Sequence, residues 1–169
     1  MAINLDGNGL LTTGLINSAT AQASTSGTSI DFTGIPAGVK RITVMFNGVS
    51  TSGTSYWLLR LGTGGVPETT GYDSLGNNLQ TTNSLITSTA GFISYINRSD
   101  YLVSGAMVVT NVSSNIWVCS GLLGSTAGLN TQFSTTGTKT LAGVLNMIRV
   151  TTVSGADTFD AGSINILYE

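Results

Sequence analysis

The chain has no histidine, one cysteine and two prolines among 169 residues, and only 8% of its residues are charged. A typical soluble protein carries about 25% charged residues. The missing histidine removes the usual general base, the usual switch near neutral pH and the commonest metal ligand. A lone Cys119 excludes an internal disulfide and a cysteine-based zinc site. Six Lys and Arg against eight Asp and Glu leave a net charge of −2, too few cations to neutralise a run of phosphates. Nucleic acid is therefore not an expected partner. No basic amphipathic segment suits a membrane surface, and no window approaches the ~18 apolar residues of a membrane span.

Serine, threonine and glycine fill the space that charge leaves. There are 20 Ser, 26 Thr and 22 Gly, so the surface is expected to be coated with hydroxyls and amides. The length suits a single domain. Residues 1–15 carry no Lys or Arg, and their longest apolar stretch is Leu10-Leu11. That is unlike an export signal and implies synthesis in a cytoplasm.

Residues 1–29 read as an arm or linker. They are rich in Asn, Gly, Ser and Thr, with Ile3, Leu5, Leu10, Leu11, Leu15 and Ile16 as the large residues to bury. Such a composition does not offset its own ordering entropy, so these six apolar residues are candidates for attachment to a partner. From residue 30 onward the pattern is β. Ile42, Val44 and Phe46 alternate with Arg41, Thr43 and Met45. Asn47-Gly48 and Ser52-Gly53 then mark a turn, and a strand is expected over 56–61. Further strands are expected over 91–96, 102–112, 116–122, 139–144, 147–153 and 163–168, with 124–137 a loose stretch. No segment holds helical periodicity. The expected fold is all-β: an antiparallel β-sandwich, jelly-roll-like, over residues 30–169, with an extended N-terminal arm.

Two strands break the alternation of a half-solvated sheet. Tyr56, Trp57, Leu58, Leu59, Arg60 and Leu61 form one run, and Ala106, Met107, Val108 and Val109 form another. Apolar residues on both faces imply cover from both sides, by a loop or by another subunit. The second is favoured here, which makes Tyr56–Leu61 and Met107–Val109 the candidate oligomer interface.

Catalytic readings are weak. The ADTFDAG segment holds Asp157 and Asp160 before the last strand, where capping of backbone N–H groups is the expected role. No SxxK or GxSxG pattern surrounds Lys40 or Lys139, and the GTGG stretch at 62–65 runs into Val66-Pro67 rather than a phosphate-holding helix. No cofactor and no metal are expected. Trp57, Trp117 and Tyr56 read as core or interface. Tyr72, Tyr95 and Tyr101 lie nearer loops and are the better candidates to stack on a sugar. Arg60 reads as an edge residue or as half of an intersubunit pair with Glu68 or Asp73. Arg98 and Asp100 read as a local pair, and Cys119 as a small buried hydrophobe.

Residues 30–55 (IDFTGIPAGVKRITVMFNGVSTSGTS) and 156–169 (ADTFDAGSINILYE) resemble a β-rich module of tailed-bacteriophage virion proteins, found especially at the C-terminal ends of tail fibres. The resemblance implies a sandwich that forms a homotrimer on the virion exterior. A tail fibre carries a long shaft before its tip, whereas about thirty residues precede the sandwich here. The expectation is therefore a non-enzymatic virion structural protein. It would be a capsid decoration (cement) or short head-fibre protein, whose arm attaches to a major capsid or tail protein. The alternative is a tail-fibre or tail-tip adhesin that binds a host receptor or surface glycan.

Overall fold

The computed structural model describes residues 16–80 and 84–169. Within them the chain forms two antiparallel sheets packed as a β-sandwich, with no helix among the described residues.

The larger sheet is built around four long neighbours: β14 (Phe159–Tyr168), β4 (Arg41–Thr51), β10 (Val103–Ser113) and β11 (Ile116–Ser125). It continues through β12 (Thr131–Thr140) and β7 (Tyr72–Asn78) to β8 (Ser84–Ser88). At its other edge, β1 (Asn17–Ser18) and β2 (Gln22–Ala23) pair in succession along β14. The smaller sheet runs β3 (Ser29–Thr33), β13 (Leu145–Thr152), β5 (Trp57–Thr63), β6 (Val66–Pro67), with β9 (Phe92–Ser94) also paired to β5.

Strand periodicity places the core. In β4 the expected face of Ile42, Val44 and Phe46 is buried, as are Met107 and Val109 of β10 and Trp117, Cys119 and Leu123 of β11. Facing them from the smaller sheet are Ile30, Phe32, Leu59, Leu61, Ile148 and Val150. Aromatic rings knit the interior: Trp57 meets Phe159 edge-on at 6.0 Å, Tyr72 meets Phe92 at 5.1 Å, and Tyr101 meets Phe133 at 5.4 Å between centroids.

Several sequence expectations need revision. Asn47-Gly48 is no turn, because β4 runs through to Thr51. Gly48 has φ 60°, and near it the register slips against both β10 and β14, so the pair marks a bulge inside the strand. β7 falls where no strand was expected, and the loose stretch over 124–137 contains the start of β12.

Residues 16–29, read from the sequence as part of the arm, are joined to the sandwich. Within residues 16–29, Ala19 and Ser24 donate backbone N–H bonds to Ile166 and Gly162 carbonyls at 3.0 Å, and Ser24 is fully buried. The polar composition is held in place by backbone pairing to β14, which requires no apolar side chain. Ile3, Leu5, Leu10, Leu11 and Leu15 lie outside the described residues.

Candidate interaction surface

The two apolar runs are covered by the chain itself. Trp57, Leu58, Leu59 and Leu61 are all at most 3% exposed, and Met107 and Val109 are also buried. Trp57, Leu59 and Leu61 face the core between the sheets. Gly91, just before β9, lies so close to β5 that a Cβ there would sit 3.2 Å from both Leu58 Cβ and Arg60 Cγ. The burial of both faces is thus supplied within the same chain. These six residues are sandwich core and present no surface to a neighbour. Of the remaining candidates, Tyr56 packs on Tyr95 at 4.9 Å, and Arg60 Nε donates to the Ala90 carbonyl at 2.8 Å. Only Val108 points outward from the larger sheet, half-buried.

Within the chain Arg60 pairs with neither Glu68 nor Asp73, and burial pulls its pKa down. Glu68 is already held by Lys139, whose Nζ lies 2.6 Å from Glu68 Oε2. All six cations have intramolecular partners. Arg149 grips Asp31 with a two-pronged fork, Nε to Oδ1 at 2.7 Å and Nη2 to Oδ2 at 2.6 Å. Arg41 pairs with Glu169, Arg98 pairs with Asp100 as expected, and Lys40 donates to Asn111 Oδ1 at 3.0 Å. Asp157 accepts the Ser55 backbone N–H at 2.9 Å, the capping role expected of it, whereas Asp160 accepts the Ser50 hydroxyl. Among the described residues no group of His, Cys, Asp and Glu is placed to hold a metal ion. The Cys119 thiol is buried, which pushes its pKa well above the ordinary value.

Two of the three tyrosines expected to stack on sugars are not at the surface, and the third, Tyr95, is half-buried against Tyr56. Tyr72 and Tyr101 are buried at 3% and 1% exposure. Tyr72 is drawn in by its hydroxyl, which accepts the Leu61 N–H at 2.8 Å and donates to backbone carbonyls.

What the fold does expose is the outer face of the larger sheet. Odd residues of β11 point in and even ones out, so Val118, Ser120 and Leu122 face solvent. Pairing extends this across the sheet in register. One row reads Leu167, Thr43, Val108, Ser120, Thr136 and Leu75. The next reads Asn165, Met45, Ala106, Leu122, Ser134 and Asn77. Neither row contains an ionisable side chain. Arg41 and Asp73 stand in a third row, beside Thr110 and Thr138 respectively. Leu122 is 55% exposed and Val118 39%. Period-2 patterning of β10 and β11 carried this signal. It was obscured because the inward and outward residues of β10 are both apolar.

Two depressions border this face. Ile16, the one attachment candidate within the described residues, is exposed beside Arg41, Thr43 and Leu167. At the far end an open groove of about 520 Å³ is lined by Leu79, Leu102, Gln80, Asn130, Gln132 and Ser104, among others. Gly124 contributes no side chain to it, and among the described residues its lining holds no ionisable group. No protein-family model, no curated protein and no solved structure matches the chain.

Proposed function

We propose that the chain is a non-enzymatic structural protein of a bacteriophage virion. It acts as a homotrimeric capsid decoration, cement or short head-fibre protein displayed on the particle exterior. The observation that carries this reading is the commitment of every cation to an internal partner, four of them to carboxylates. The charged groups brace the sandwich and leave no activated nucleophile or acid–base pair among the described residues. The resemblance of residues 30–55 and 156–169 to virion modules supplies the setting. The leading apolar residues Ile3, Leu5, Leu10, Leu11 and Leu15 supply the attachment to a major capsid or tail protein.

The truncation that tests attachment ends at residue 15, because residues from Asn17 onward pair with β14. Particles assembled with a chain lacking residues 2–15 are expected to lose it, as read by peptide mass spectrometry of purified virions. The truncated chain should keep the far-ultraviolet circular dichroism of the full one. Retention on particles would remove the attachment role, and absence of the full-length chain from virions would remove the whole reading.

The groove favours a second reading, a tail-tip adhesin for an uncharged host glycan. Its carboxamides and hydroxyls can each donate and accept towards sugar hydroxyls. Binding of purified protein to host cells, weakened by Gln132→Ala, is its expected signature.

A further inference from the structure

We infer that the outer face of the larger sheet, centred on β4, β10 and β11, is the surface through which copies of this chain join. The inference deepens the proposed function and needs only its self-association, not its setting on a virion.

At the centre, Met45, Ala106 and Leu122 lie side by side in register, with Val108 in the adjoining row and Val118 one step further along β11. Isolated apolar residues on a surface need no explanation, but a contiguous group without a charge among them marks an interaction site. The cores of protein interfaces are likewise depleted of charge. The size is appropriate. Seven strands at ~4.8 Å spacing and about 20 Å of strand length give a plane of roughly 600 Å² before side-chain relief. A stable interface needs about 800 Å² of accessible surface per partner.

The chemistry around the centre selects a copy of the same chain over a different partner. Thr43, Ser120, Ser134, Thr136 and Asn165 surround the apolar group. Hydroxyl and amide groups both donate and accept, so such a rim can pair with the same kinds of group on another copy. A rim of one charge sign would repel its own image and select an oppositely charged partner. A lipid surface or a nucleic acid would call for cations, and the only one near these rows, Arg41, is bound to Glu169. Addition of a strand at the β14 edge is blocked by β1 and β2, which removes that edge as a route for association.

The test is the mass of the full chain by sedimentation between about 1 and 200 µM, with Leu122→Lys and Val108→Lys as variants and Val153→Lys as a control. Val153 is 50% exposed just beyond the end of β13, in the smaller sheet. The expected result is a trimer that both face variants reduce to a protomer and the control leaves intact. A dimer dissociated by the same variants would support the face and overturn the trimer of the proposed function. A protomer at 200 µM, or an oligomer that both variants leave unchanged, would overturn the inference. So would a chain that is monomeric alone yet uses this face to bind another virion protein.

Should the lysine variants fail to fold, Ser120→Cys provides an independent reading. Its side chain is exposed, while the native Cys119 is buried. A short bis-maleimide is expected to link Ser120→Cys chains to one another. Linkage no greater than in the unsubstituted chain would overturn the inference.

Discussion

Lys139 has the most buried side chain of the paired cations, 6% exposed, and it shows how a chain poor in charge uses the charge it has. Its ammonium reaches Glu68, donates to the Thr70 carbonyl at 2.9 Å and lies 5.2 Å from the centre of the Tyr72 ring. Burial pushes the Glu68 carboxyl up. The Lys139 ammonium, the Ala142 N–H and the Thr63 hydroxyl together outweigh that and hold it below its ordinary value. A carboxyl that binds its proton less readily when folded adds stability that is complete above the ordinary range near 4.3. That stability is lost as pH falls through the lower folded value. Replacing Lys139 with Met leaves the partly buried Glu68 carboxylate with the Ala142 N–H and the Thr63 hydroxyl but no counter-charge, at a cost of about 2 kcal/mol. Lys139→Met is therefore expected to melt well below wild type at pH 7, and the gap should narrow below pH 4 as Glu68 takes up a proton. A gap that stayed constant from pH 7 to pH 3 would mean that lost packing, not charge, sets the cost.

At the scale of the strand, legibility in the sequence followed the chemistry of the inward face. β4, β10 and β11 announce themselves because their inward residues are Ile, Val, Phe, Met and Trp. β7 and β12 do not, because several of theirs are Ser, Thr, Asn and Gly. In β12 the inward set includes Thr131 and Thr135, both buried. Thr135 Oγ1 lies 2.7 Å from Ser94 Oγ and donates to the Ile93 carbonyl at 3.0 Å. Ser74 of β7 in turn accepts the Ile93 N–H at 2.9 Å. These hydroxyls tie β9 of the smaller sheet to the larger one, a purpose that hydropathy does not record. Patterning also showed correctly that β5 is covered on both sides, but no local signal reveals that the cover comes from within the chain. Thr135→Val keeps the shape and removes the hydroxyl. It is expected to cost about 1–2 kcal/mol, since the Ile93 carbonyl and Ser94 hydroxyl lose a buried partner. Chemical denaturation with an unchanged m-value would check this, and a variant as stable as wild type would show that the sheets are held by apolar packing alone at this end.

For the molecule as a whole, the placement of charge matters more than its amount. Two adjoining rows of the larger sheet's outer face carry no ionisable group, while the paired charges lie at its margins or elsewhere: Arg41 with Glu169, Lys139 with Glu68, Arg149 with Asp31. An assembly joined through such a face owes little to ion pairs, so screening should hardly touch it. At 1 M salt the Debye length falls to about 3 Å, enough to weaken interfaces held by exposed charge. Here the oligomer expected of the chain should keep its mass from 0.05 to 1 M sodium chloride. Sulfate, which strengthens apolar burial by its exclusion from protein surfaces, should shift dissociation to lower protein concentration. Sedimentation across both salts checks the two effects separately. Dissociation by sodium chloride would locate the contact at the charged margin near Arg41 and Asp73, and would move the interface away from Leu122 and Val108.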